Sequence, residues 1–257
     1  MLKSFIAASL AAGSAALFIM GLPGVVTAQV SQGPAISASA TPVLIELFTS
    51  QGCSSCPPAD RLAHRLDSEE GLVIISRPVD YWDRLGWMDT LASPQNTALQ
   101  RAYARRGLGG YNGVYTPQTV VAGTFGEVGS DERALRRQID AARRLPNSAK
   151  LHITPVAGKG FAIGLSGETA NPAQLQLLGV SREESVAIGR GENRGRTIRY
   201  TNALIGEDVL ATWRGGKRSV AIRDEQLRIP GADRYAVVLR EPGGGRVLAA
   251  RWLPDAR

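Results

Sequence analysis

The chain has 257 residues, 44% of them hydrophobic, and carries a formal net charge of +7. That length suits one large domain or two small ones, and the composition excludes wholesale disorder. Of the 30 cations 26 are arginine, but they are scattered, as in Arg136-Arg137, Arg143-Arg144 and Arg194 to Arg199, with no basic stripe or aromatic interleaving. Charge therefore gives no reason to expect nucleic-acid binding.

Residues 1–28 read as an export signal. Lys3 precedes the apolar run Phe5 to Met20, and Val26-Thr27-Ala28 offers small residues before a cut at Gln29. The alternative is an uncleaved N-terminal anchor, since apolar character continues to Val26. Residues 29–41 then read as a flexible leader. Val43–Phe48 has the apolar character of a central strand, broken only by Glu46. Pro57-Pro58 opens a helix to Leu66, because proline lacks the N–H that a first turn leaves unpaired. Leu72–Ile75 is a second strand. An aromatic and acidic loop, Val79 to Trp87, leads to a helix over Gln95–Arg106 capped by Ser93-Pro94. After a glycine-rich break, Pro117–Ala122 and Phe125–Val128 form a hairpin across Gly123, and Ser130-Asp131-Glu132 caps a helix over Arg133–Leu145. The order β-α-β-α-β-β-α describes a compact α/β domain over 42–146.

Beyond Pro146-Asn147-Ser148 the composition changes. Short alternating runs at Leu151–Val156, Phe161–Leu165, Gln174–Val180, Ser185–Ile188, Thr197–Leu204, Ser219–Ile222, Ala236–Leu239 and Arg246–Trp252 are separated by turn residues. They predict a second, all-β domain over 150–254, an antiparallel sheet or sandwich; the alternative is a one-sheet extension of the first domain.

The chain's only two cysteines stand at Cys53-Ser54-Ser55-Cys56, between the first strand and the first helix. A disulfide there closes a loop too small to restrain the unfolded chain much, so it makes a poor staple. A dithiol at a helix N-terminus makes a good redox centre, because the dipole stabilises a thiolate. Cys53 is then the attacking thiol and Cys56 the resolving one. Thr116-Pro117 begins a strand, where a cis proline would bring the Thr116 backbone beside the cysteines to hold an extended peptide; the alternative is a trans turn proline. Glu46, seven residues before Cys53, either lies beneath the pair with a raised pKa and relays protons, or sits at a sheet edge or against an arginine. Tyr81, Trp82, Asp83 and Trp87 offer one wall of a substrate groove, or a loop packed on the second helix. Glu192, Asn193 and Arg194 lie in a glycine-rich turn that reads as a pinned hairpin or as a contact surface facing the redox domain. The two histidines, His64 and His152, form no metal spacing with the cysteines, so neither metal nor cofactor is expected.

Strand, C-x-x-C, helix and a later Thr-Pro opening a hairpin resemble the thioredoxin pattern. The run Glu46 to Asp60, with Val79-Asp80-Tyr81-Trp82-Asp83, Gly86-Trp87, Val114-Tyr115-Thr116-Pro117-Gln118 and Gly191 to Thr197, resembles the exported DUF1223 family over residues 42–253. The resemblance implies a thioredoxin-like N-terminal domain and supplies no substrate. The chain departs from ordinary thioredoxin in having no Trp before Cys53, no Gly-Pro between the cysteines, and Pro57-Pro58 after them, so the direction of electron flow stays open. The expectation is a periplasmic or secreted thiol–disulfide oxidoreductase. It would act on a thiol- or disulfide-bearing protein or a small thiol, with a redox recycling partner and no membrane association after signal removal. The alternatives are a redox-silent scaffold whose β domain binds a protein or envelope component, and, less favoured, a copper chaperone.

Overall fold

The structure, a computed structural model, describes residues 42–110 and 113–255. The expected signal and leader lie outside them. Among the described residues no helix is long and apolar enough to cross a membrane.

The first half contains β1 (Val43–Thr49), α1 (Pro57–Leu66), β2 (Leu72–Pro78), α2 (Pro94–Tyr103), β3 (Gln118–Val121), β4 (Phe125–Val128) and α3 (Glu132–Arg143). β1 pairs in parallel with β2 and antiparallel with β3, and β3 pairs antiparallel with β4. The helix starts follow local chemistry. Pro57 opens α1, the Ser93 hydroxyl accepts from the Gln95 N–H at α2, and the Asp131 carboxylate accepts from the Ala134 N–H at α3.

The second half contains β5 (Lys150–Val156), β6 (Gly160–Ser166), β7 (Ala173–Ala187), β8 (Thr197–Trp213), β9 (Arg218–Ile222), β10 (Arg234–Arg240) and β11 (Val247–Trp252). It is β-rich, as its alternation indicated, but residues 146–150 do not divide the sheet. One eight-stranded sheet runs β11-β10-β7-β8-β2-β1-β3-β4, and among the described residues only β5-β6-β9 form a separate small sheet. The join is a single parallel register pair, Ser76 with Ala203, strengthened by the Ser76 hydroxyl donating to the Thr201 carbonyl at 2.7 Å. The one-sheet extension is thus the arrangement found for β7, β8, β10 and β11. The two strands expected at 174–180 and 185–188 are one 15-residue strand, β7, with a bulge at Gly179/Val180. The polar run Ser181 to Glu184 looks like a turn, yet it continues the ladder with β8.

Both faces of the sheet are covered. Val43, Ile45 and Leu47 of β1 pack with α1 and α3, through Leu62, Leu66, Leu135 and Ile139. Leu44, on the opposite face, packs with Val73, Ile75, Ala236, Val238 and Ala250. In β10, Ala236 and Val238 join that cluster, while Val237 and Leu239 face the core under the small sheet. This period-two division is that of a strand buried on both sides.

Glu46 shares the Leu44 face of β1, away from α1. It is fully buried and accepts from the Arg77 Nε and Arg240 Nη2 at 2.7 Å each and from the Tyr103 hydroxyl. Arg77 also donates to Asn96 and to Glu207, at 3.1 and 2.9 Å. Burial pushes the Glu46 carboxyl upward, but Arg240 and Arg77 outweigh it and hold the pKa at about 2. The expected proton relay with a raised pKa is therefore overturned. Of the alternatives, pairing with arginine is the one observed, and the pair is an ionised strut between the two halves.

Candidate functional site

Cys53 and Cys56 are joined by a disulfide with their Cα atoms 5.4 Å apart. The Cys56 N–H donates to the Cys53 carbonyl at 3.2 Å, and the Ala59 and Asp60 N–H groups donate to the Cys56 carbonyl, at 2.8 and 3.1 Å. Pro57 and Pro58 contribute no N–H groups, so α1 offers fewer donors to a thiolate than an ordinary helix start. The Ser55 hydroxyl lies 3.3 Å from the Cys53 sulfur and 3.5 Å from the Thr116 carbonyl it donates to. The Thr116–Pro117 bond is cis. Cys53, Cys56, Thr116 and Pro117 thus meet at one end of β1 and β3, and Glu46 stands apart on the other face of β1.

The aromatic loop braces this corner. Trp82 donates its indole N–H to the Thr116 hydroxyl at 2.9 Å, and Trp87 donates its own to the Gln51 side-chain carbonyl at 2.8 Å. Asp83 accepts from the Asp89 N–H at 3.0 Å, and Asp89 in turn accepts from the Gln51 N–H at 2.7 Å. Tyr81 packs with Phe48 and Tyr103. None of Tyr81, Trp82, Asp83 and Trp87 lines the open groove beside α1. The open groove beside the pair has a volume of about 930 Å³ and lies between α1 and the start of β8, lined by residues 54–65 and 196–199.

The loop joining β7 to β8 covers the cysteine turn. The Asn193 side-chain amide donates to the Gln51 and Cys53 carbonyls at 2.9 and 2.8 Å, and its oxygen accepts from Arg196 at 3.0 Å. Glu192 accepts from the Ser54 N–H at 3.2 Å. Arg194 is exposed, and its backbone N–H closes the turn onto the Gly191 carbonyl. Trp87 lies so close under this loop that a Cβ at Gly189 would come within 2.9 Å of its ring. Both cysteines are consequently 0% exposed, while Ser54 and Ser55 face solvent.

A buried acid does follow the pair in the first turn of α1, but it is Asp60. It lies four residues beyond Cys56 on the same helix, hence on the same face. It is 2% exposed, its Oδ1 accepts from the Thr49 hydroxyl at 2.8 Å, and its Oδ2 has no partner among the described residues. The Tyr200 hydroxyl is likewise buried without a partner. Burial pushes the Asp60 pKa up to about 8, reinforced by Asp89 and opposed by Thr49 and Arg61. The available signal was an acid within the small-residue face of a predicted helix, at the i+4 position from a cysteine.

This placement has a consequence for stability. The folded chain keeps a proton on Asp60 that the unfolded chain loses from about pH 4 upward, so stability falls with rising pH up to about pH 8. The slope is at most about 1.4 kcal/mol per pH unit. Asp60→Asn, neutral throughout, is expected to gain on the wild type across that window in urea unfolding. Parallel pH profiles for the two proteins would contradict the burial of a protonated acid.

Among the described residues no cluster of three or more His, Cys, Asp or Glu side chains suits a metal ion. His64 meets the Thr201 hydroxyl at 3.2 Å, and His152 is exposed on β5.

A crystal structure of protein AGR_C_4864 from Agrobacterium tumefaciens is similar to this chain, with 29% identity and a TM-score of 0.71 over 83% of this chain and 94% of that one. HBP35 of Porphyromonas gingivalis is similar in fold, with 13% identity and a TM-score of 0.53 over 84% of this chain and 76% of that one. No curated protein matches. The model of one family, described as a protein of unknown function (DUF1223), matches residues 44–240, and the chain belongs to that family.

Proposed function

We propose that this chain is an exported thiol–disulfide redox protein whose first half is thioredoxin-like. The observation that carries the reading is the Cys53–Cys56 disulfide at the start of α1, with the Thr116 carbonyl in hydrogen-bond reach of Ser55 between the cysteines. The sheet order β2-β1-β3-β4 within the larger sheet supports the fold assignment. The N-terminal 28 residues are the basis for export to a periplasmic or extracellular compartment, where a cysteine pair can cycle.

In this reading Cys53 is the attacking thiol, aided by the Ser55 hydroxyl, and Cys56 resolves the mixed disulfide. Asp60 takes the role first assigned to Glu46. Its ionised fraction, which grows as pH rises towards about 8, accepts the Cys56 proton as that thiol becomes the nucleophile. A disulfide-bearing protein or small thiol reaches Cys53 once the Ile188–Arg196 loop parts, and a separate redox partner restores the pair.

A second reading has an observation of its own. Complete burial of both sulfurs suits a redox-silent scaffold in which the disulfide merely shapes the turn. Exchange with glutathione separates the two. Reversible equilibration of the folded wild type, abolished by Cys53→Ser, is the expected result. A bond that survives until the protein unfolds would assign the scaffold role.

A further inference from the structure

The groove beside the cysteine turn is walled by α1 on one side and by residues 196–199 on the other. Its charged lining is Arg61, Arg65, Arg196, Arg199 and Asp60, with His64 between the walls. Arg65 is paired with Glu132 and Arg199 with Glu183. Arg61 and Arg196 have no acidic partner among the described residues; Arg196 rests on the Asn193 amide oxygen. Two guanidinium groups without an acidic partner among the described residues thus face one groove, which Ser54 of the redox loop also lines, with its N–H held by Glu192. At its floor Asp60, 2% exposed, has an oxygen with no partner among the described residues. At neutral pH that acid is mostly protonated, so the floor offers a neutral donor instead of a repelling charge.

We propose that this groove binds the carboxylate-bearing part of the substrate, so that the pair exchanges preferentially with acidic disulfides. The inference rests on the redox reading above and names its substrate class. Guanidinium groups suit carboxylates through paired, charge-assisted hydrogen bonds. In the direction that oxidises the protein, the Cys53 thiolate attacks one sulfur of the bound disulfide and expels the other as a thiolate. Cys56 then attacks Cys53, expels the second thiolate and closes the Cys53–Cys56 bond. Two electrons pass from protein to substrate, and the cysteine protons end on the two released thiols.

The test is the oxidation rate of the reduced full chain by four disulfides, each scaled to its own rate with dithiothreitol. Glutathione disulfide and an acidic-peptide disulfide are the anionic probes, hydroxyethyl disulfide is neutral, and cystamine is cationic. Anionic probes are expected to lead cystamine by at least about tenfold at low ionic strength, with the lead shrinking in high salt. Arg61→Glu, on the exposed face of α1, is expected to bring the anionic-to-neutral ratio down towards that of free thiols. A faster peptide would identify a protein client and a faster glutathione disulfide a small thiol, and either supports the groove. Equal scaled rates for all probes, independent of salt, would overturn the anionic groove while leaving the redox reading intact. No reaction with any probe would overturn both.

Discussion

Glu46→Gln is expected to lower the unfolding free energy by about 3–5 kcal/mol, the cost of removing one partner from a buried ion cluster. The wild-type carboxylate offsets Arg77 and Arg240, both buried beside it, and Glu207 completes a group of two acids and two cations. The substitution leaves two guanidinium groups sharing one partly exposed carboxylate, with a neutral amide in place of the other. The pH dependence carries the same sign. A carboxyl held near 2 instead of its ordinary 4.5 contributes stability that is fully present above about pH 4.5 and is lost as pH falls through 2. That contribution is about 3 kcal/mol. Urea midpoints for the two proteins should therefore lie far apart at neutral pH and converge in acid. Equal midpoints at neutral pH would show that the cluster contributes nothing to holding the halves together.

Asn193→Ala is expected to expose the disulfide without unfolding the protein. Asn193 is buried, and its amide supplies donors to the Gln51 and Cys53 carbonyls. Losing them removes the hold of the loop on the cysteine turn and leaves carbonyls to be satisfied by water once the loop lifts. At about 1–2 kcal/mol for each bond, local opening becomes easier by about 2–4 kcal/mol. If loop opening limits access, reduction by dithiothreitol under native conditions accelerates roughly 30- to 900-fold. Thiol trapping over time measures the rate, and circular dichroism checks the fold. An unchanged rate in a folded variant would mean that the disulfide is reached by another path.

The legibility of the chain divides along contact distance. α1, α2 and α3 were readable because Pro57, Ser93 and Asp131 mark their starts locally, and β1 because an apolar run precedes a glycine-containing turn. The continuity of the sheet was not. It depends on Ser76 meeting residues some 125 positions away, through one ladder pair and one side-chain bond, and no local pattern announces that. Glu46 shows the same limit. A charge in an apolar strand signals a buried partner but not which one, and Arg240 lies 194 residues away. Asp60 was missed for another reason: its helix position is visible, but β8, which carries Tyr200, packs beside α1 from far along the chain. The role of Asn193 as a clamp follows from the same packing.

The measurement that bears most directly on the redox assignment is the fraction of Cys53–Cys56 disulfide in the folded protein across a series of glutathione buffers. The account predicts a reversible transition reached from both the oxidised and the reduced side. A midpoint of about −120 to −180 mV would mark a disulfide donor or isomerase, and one near about −270 mV a reductant. A disulfide that stays closed in every buffer, and opens only as the chain unfolds, would contradict the assignment and leave the pair as a structural link.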